Sequence, residues 1–257
     1  MDQAHLEQPP GIVNVAPPSV VHWRVAGTVV WSLVILGLFV FVQAVAMLVA
    51  VSWGGAAPDA ADVERVVSAG AADGRLLAIA TCSSTIVCGT ALVLVIILKR
   101  GAKVADYLAW HWTPDRSWRT WFAGFAAFLL ALDAITLLLG RPVVPEVMAQ
   151  AYSSADPRWL FWIALVVAAP LFEEVFFRGF VYRGLAGSPL GPVGAIVLTA
   201  ALWAGIHMQY DAYGMFSIFG MGLVLGWARW RANSVILTCL LHAFANIYAT
   251  VETLFVA

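Results

Sequence analysis

Charge is the scarce ingredient of this sequence. Only 11% of its 257 residues are Asp, Glu, Lys or Arg, whereas a soluble domain carries about a quarter. The 14 basic residues include just two lysines, Lys99 and Lys103, and the net charge of −1 gives no sign of a nucleic-acid partner. Cysteine is equally sparse: three cysteines cannot build a disulfide framework. Cys82 and Cys88 share one apolar run and Cys239 lies in another, where a thiol behaves as a small apolar residue. The first 24 residues lack the pattern of a cleavable signal peptide. They are polar and carry Pro9, Pro10, Pro17 and Pro18, which predicts a loose cytosolic tail.

What is abundant is apolar surface. Hydrophobic residues make up 62% of the chain, well above the half or so of a soluble protein. A spanning helix needs roughly 20 apolar residues. Stretches near 25–52, 75–98, 119–140, 158–186, 192–209, 213–230 and 234–256 meet or approach that length. The expected fold class is therefore all-α, a polytopic transmembrane helical bundle of about seven spans. It divides into the tail (1–24), N-terminal helices with their connectors (25–157) and a C-terminal helical core (158–257).

The connectors differ in character. Residues 53–74 are acidic, with Asp59, Asp62, Glu64 and Asp73. Residues 99–119 mix Lys99, Arg100, Lys103, Arg116 and Arg119 with Trp110, Trp112 and Trp118, as expected of a segment lying at a membrane surface. Residues 141–157 hold three prolines and read as an irregular loop with room for one interfacial turn. With the N-terminus inside, ten basic residues fall on the inner side and four outside, so the positive-inside rule favours a cytosolic N-terminus. The preference for Arg, Ala and Val suggests a high-GC genome and hence a bacterial plasma membrane.

Ionisable residues inside a span cost about 2.5–3.5 kcal/mol each at mid-bilayer. Gln43 and Asp133 stand alone in their helices and are expected to bond a neighbouring helix. Glu252 is near enough to a helix end to reach the interface. The fourth stretch is different, with Glu173 and Glu174 adjacent in an apolar run. Arg178 lies four residues after Glu174, on the same face, and can pair with it. Glu173 points about 100° away and has no such partner in its own helix. An unpaired buried carboxylate suits proton exchange near neutrality.

His5, His22 and His111 lie in tails or connectors, whereas His207 and His242 fall within apolar stretches, and Asn246 shares a face with His242. Helix rise places Glu173 roughly 21 Å and His207 roughly 22 Å from the Gly187–Pro192 turn. His242 and Asn246 lie roughly 15–21 Å beyond the next turn on that side. All four can meet in one layer within the membrane.

The ordered set Glu173-Glu174-x-x-x-Arg178, Trp203-x-x-x-His207, the Gly222/Gly226 helix and His242-x-x-x-Asn246 resembles the CPBP family of intramembrane proteases. That family includes the type II CAAX prenyl endopeptidase and the bacterial "Abi" bacteriocin-processing and self-immunity proteins. The resemblance covers about residues 160–250. It departs from the family at Trp203, where Phe is common. The resemblance implies peptide-bond hydrolysis of a membrane-associated peptide or protein. Glu173 would act as general base and then acid, and His207 would orient the water. His242 and Asn246 would stabilise the oxyanion, with Glu174 and Arg178 in support. A single zinc held by Glu173, His207 and His242 is the metal alternative. Such a site would leave Glu174, already committed to Arg178, as the only base, and the chain has no His-Glu-x-x-His helix. The metal-free mechanism is therefore favoured. A non-catalytic peptide-binding scaffold of the same fold is the main rival. A transporter or proton relay is a weaker one, unsupported by internal repeats.

Overall fold

The computed structural model describes residues 20–52, 59–112 and 117–255. The expected loose N-terminal tail falls mostly on residues 1–19, outside that set. Among the described residues there are helices and turns but no strands.

The N-terminal half opens with two long helices, α1 (Val25–Val51) and α3 (Gly74–Ile97), joined through the short α2 (Ala60–Ala69). Asp59 and Asp62 close a reciprocal capping box at the start of α2, and Asp73 caps α3. The acidic connector therefore spends three of its carboxylates on helix starts. A one-turn helix, α4 (Val104–Leu108), follows, then α5 (Ser117–Leu138) and α6 (Glu146–Ser154). The α4 segment keeps Trp110 and Trp112 exposed while burying Tyr107, Leu108 and Ala109, as a surface-lying segment should.

The existence of α6 corrects the expectation of an irregular loop at 141–157. Pro145 sits at its N-cap and Pro157 lies beyond its end. At those positions a missing N–H costs nothing, so the prolines bracket the helix instead of breaking it.

The C-terminal half holds α7 (Arg158–Ala186), α8 (Gly191–Gly205), α9 (Ala212–Ala232) and α10 (Val235–Leu254). Among the described residues, five helices are long and apolar enough to cross a membrane: α1, α3, α5, α7 and α10. The other two predicted stretches are helical as well, but α8 is only 15 residues long. The protein is an integral membrane protein with an all-α polytopic bundle. Val30, Leu33, Val40 and Phe41 of α1 and Leu130, Leu137 and Leu138 of α5 point outward, as lipid-facing residues do.

At the centre lies α7. Phe172, Phe176, Phe177 and Phe180 on α7 form the main core with Leu92, Tyr107, Trp203, Leu225 and Leu241. On α9, a Cβ at Gly222 would come within 2.9 Å of Ala200, and one at Gly226 within 2.8 Å of Ile196. These two glycines let the α9 backbone close on α8, the small-residue packing typical of membrane helices.

The lone polar residues fare differently. Asp133 accepts a hydrogen bond from the Tyr248 hydroxyl across α5 and α10, as expected of it. Glu252 faces the same pair one turn on, where an escape to the interface was expected. The Gln43 side chain, within α1, shows no hydrogen bond to a neighbouring helix among the described residues.

Candidate active site

The site is built on an irregular helix. α7 widens twice into π-helical turns, at Ala164–Ala168 and Glu174–Val181. Such turns are rare and occur disproportionately at functional sites. Glu173 ends the α-helical turn between the two, and Glu174 begins the second π segment.

The two carboxylates take different partners. Glu174 and Arg178 are fully buried and pair through Nη1 and Oε1 at 2.8 Å. The same Oε1 accepts from His242 Nδ1 at 3.0 Å. Arg178 also donates to the Gly222 carbonyl at 3.3 Å and lies 4.5 Å from the centre of the Trp203 ring. The glycine at 222 thus opens a backbone acceptor to the guanidinium. Glu173 instead turns toward α8, where its Oε2 accepts from Trp203 Nε1 at 2.5 Å. His242 bridges the two acids, since its Nε2 lies 4.0 Å from Glu173 Oε2. The Glu173 side chain keeps 16% exposure, against none for Glu174, so only Glu173 can be reached by water.

Trp203 is the residue that sequence reasoning undervalues. As an aromatic it looks equivalent to Phe, yet its indole N–H makes a hydrogen bond that Phe cannot. The signal is present in the sequence, because a buried Trp brings a donor that needs a partner. Its ring also touches His207 and His242 edge-on, with centroids at 5.3 and 5.2 Å. A hydrogen bond to a charged group is worth about 1.5–3 kcal/mol. Trp203→Phe should therefore lower kcat about tenfold or more while leaving KM in place. Unchanged steady-state kinetics would remove the residue from the site.

His207 is placed differently from the expectation. Helix α8 ends at Gly205, so His207 lies in the turn beyond it and not within the span. Glu173 meets Trp203, one turn earlier, so the hairpin is centred nearer Ser188 than residue 190. His207 Nδ1 bonds the Trp203 carbonyl at 2.7 Å. A carbonyl only accepts, so Nδ1 carries the proton and Nε2 is left with a lone pair in the neutral ring. Tyr210 packs 6.3 Å from the His207 ring and lies within reach of the Glu173 charge. Tyr210 therefore also borders the site. Asp211 caps α9 through the Gly214 amide at 2.8 Å. That bond first, and Arg141 after it, hold its carboxyl below the ordinary value.

Asn246 shares the helix face of His242 but spends one amide hydrogen elsewhere, donating to the Leu165 carbonyl at 2.6 Å. The reason lies in α7. In the first π turn Ala169 N–H reaches back to Ala164, and the next donor along, for Leu165, would be Pro170, which has none. Asn246 fills that gap. Asn246→Ala should cost about 1–2 kcal/mol, the range for hydrogen bonds between membrane helices. In a Pro170→Ala background, where the backbone can supply the donor, it should cost less. Equal penalties in the two backgrounds, measured by thermal unfolding, would contradict this role.

A zinc held by Glu173, His207 and His242 does not fit this arrangement. Among the described residues, no three His, Cys, Asp or Glu side chains gather around one point as metal ligands would.

Comparison with known proteins agrees with this architecture. Residues 155–248, a stretch that contains every site residue named above, match the family model of the Rce1-like type II CAAX prenyl endopeptidases. The match is consistent with a CPBP/CAAX protease family. No curated protein and no solved structure matches the chain. That family implies intramembrane endopeptidase activity in general, and the match rests on the α7–α10 unit, with α1 to α6 outside the matched residues.

Proposed function

We propose that the protein hydrolyses a peptide bond of a membrane-associated peptide or protein, with Glu173 as the base that activates water. The observation that carries this reading is the separation of the two adjacent acids. Glu174 is sealed with Arg178 and His242, while Glu173 stays accessible, its Oε2 held by Trp203 and its Oε1 unbonded among the described residues. A general base needs that combination of fixed position and one free oxygen.

Glu173 takes a proton from water as the oxygen attacks the scissile carbonyl carbon. The carbonyl electrons move to oxygen, giving a tetrahedral oxyanion. Glu173 then passes the proton to the amide nitrogen, the C–N bond breaks, and a carboxylic acid and an amine result. His207 Nε2, with its lone pair, orients the water. His242 already gives its Nδ1 hydrogen to Glu174, so donation to the oxyanion requires a proton on Nε2 as well. The second amide hydrogen of Asn246 is the other available donor. Each such donor lowers the barrier by about 2.7–4 kcal/mol.

The short α8 supports a route for water. Its 15 residues extend about 22 Å, short of the ~30 Å hydrocarbon core. The non-helical turn 206–211 therefore falls at membrane depth, where irregular backbone is tolerated only against protein or water. Met208 and Gln209 in that turn are exposed beside His207. Comparative peptidomics of membranes carrying wild-type or Glu173→Gln protein tests the proposal. Peptides dependent on Glu173 are expected, and identical cleavage patterns would count against proteolysis and for a scaffold.

A further inference from the structure

A second group of cations lies away from Glu173, where the last turns of α7 and α9 meet the segment before α1. His22, Tyr182, Arg183, Arg229, Trp230 and Asn233 line a cleft of about 320 Å³. Among the described residues, no acidic side chain lines it.

Arg229 is the unusual member. It is 1% exposed, donates through Nε to the Arg178 carbonyl at 2.9 Å and through Nη1 to Asn233 Oδ1 at 2.8 Å. Its Nη2 has no partner among the described residues. Both acceptors are neutral, so the charge has no counter-ion there among the described residues. Arg183 likewise donates to backbone carbonyls, those of Tyr107 at 3.1 Å and Asp106 at 3.4 Å. The carboxylate of Asp106 attracts it, though that residue is exposed to solvent. The two guanidinium groups repel one another. A buried cation without a partner costs several kcal/mol, and within a membrane protein such a residue marks a site by default.

The surroundings specify the partner. Tyr182 lies 5.3 Å from the Arg229 guanidinium, and Trp230 stands half exposed at the wall. Lys99, Arg100 and Lys103 belong to the same end of the bundle, with Lys99 5.0 Å over the Trp23 ring and Trp110 and Trp112 exposed nearby in sequence. Basic residues mixed with exposed Trp mark the headgroup level of a bilayer, the layer in which anionic lipids attract cations. Planar guanidinium forks match phosphate oxygens.

We propose that this cleft binds a phosphate-type anion, presented in the membrane as the headgroup of an anionic phospholipid. Occupancy places a negative charge between Arg183 and Arg229 and relieves their repulsion. Because Arg229 holds the Arg178 carbonyl, the bound headgroup also braces the end of α7 that carries the Glu174–Arg178 pair. The proposal stands whether or not the chain is a protease.

The test uses the full chain in neutral detergent, read by the thermal unfolding midpoint. Separate arms add phosphatidylglycerol, phosphatidylcholine or inorganic phosphate. Phosphatidylglycerol should raise the midpoint saturably, and phosphatidylcholine should not. Arg183→Gln should weaken that response at least tenfold, while Arg100→Gln, an exposed charge at the same end, should leave it intact. Inorganic phosphate acting with the same dependence on Arg183 would assign the anion to the aqueous phase. Action by the lipid alone would assign it to the bilayer. Arg183 is the deciding position because its hydrogen bonds go to two backbone carbonyls, so its variant should fold; Arg229→Lys serves as the second. An equal response in Arg183→Gln, equal stabilisation by phosphatidylcholine, or a response to a peptide C-terminal carboxylate with none to either phosphate source would overturn the proposal.

Discussion

Glu173→Gln should abolish most turnover while leaving the fold intact. General-base catalysis contributes typically about 10²–10⁴-fold, and the amide cannot take the proton. The replacement keeps the size of the side chain, and its carbonyl oxygen can still accept the Trp203 indole hydrogen that Glu173 Oε2 accepts at 2.5 Å. The thermal unfolding midpoint and the KM for a cleaved peptide should therefore stay close to wild type, and the loss should appear in kcat. A joint loss of stability and activity would mean that Glu173 is a packing residue.

The neighbouring acid should behave in the opposite way. Glu174→Gln leaves Arg178 fully buried without its counter-charge, with a neutral amide oxygen, the Gly222 carbonyl and the Trp203 ring as its remaining contacts. Breaking a buried ion pair from one side costs about 3–5 kcal/mol, because the surviving charge is left uncompensated. His242 Nδ1 then faces a neutral amide oxygen in place of a carboxylate. Removing both charges, with Glu174→Gln and Arg178→Met together, should restore much of the stability, since apolar replacement of a whole buried pair is often neutral or better. If the double variant is as unstable as the sum of the singles, the pair is not the unit described here. Denaturant or thermal unfolding of the four proteins gives the cycle.

The distinction between the two acids is legible in the sequence, because helical spacing gives Glu174 an i+4 arginine and gives Glu173 none. The depth count also gathers the right helices, since hairpin geometry follows from rise per residue. It errs by one turn at His207, because apolar character continues past Gly205 although the helix does not. Glycine near the end of an apolar run is the available hint. Asn246 illustrates a different limit. Spacing places its face, but its partner depends on a π turn in α7 and on the N–H missing from Pro170, and periodicity carries no trace of such a turn. The reading of 141–157 fails for a simpler reason, in that prolines flanking a helix count as prolines within one. Arg229 is inconspicuous in the sequence because a basic residue near a helix end ordinarily lies exposed among headgroups, and only burial shows that this one is enclosed.

The central claim is that the two adjacent acids divide their work, Glu173 in chemistry and Glu174 in structure. One side-by-side assay reaches it most directly. Purified wild type, Glu173→Gln and Glu174→Gln are reconstituted into vesicles holding an anchored peptide that the wild type cleaves, and single-turnover cleavage is measured per folded molecule. The account predicts folded Glu173→Gln protein that binds the peptide and leaves it intact, and a Glu174→Gln sample depleted of folded protein whose folded fraction still cleaves. A fully folded Glu174→Gln protein without activity, beside a Glu173→Gln protein cleaving at the wild-type rate, would contradict it.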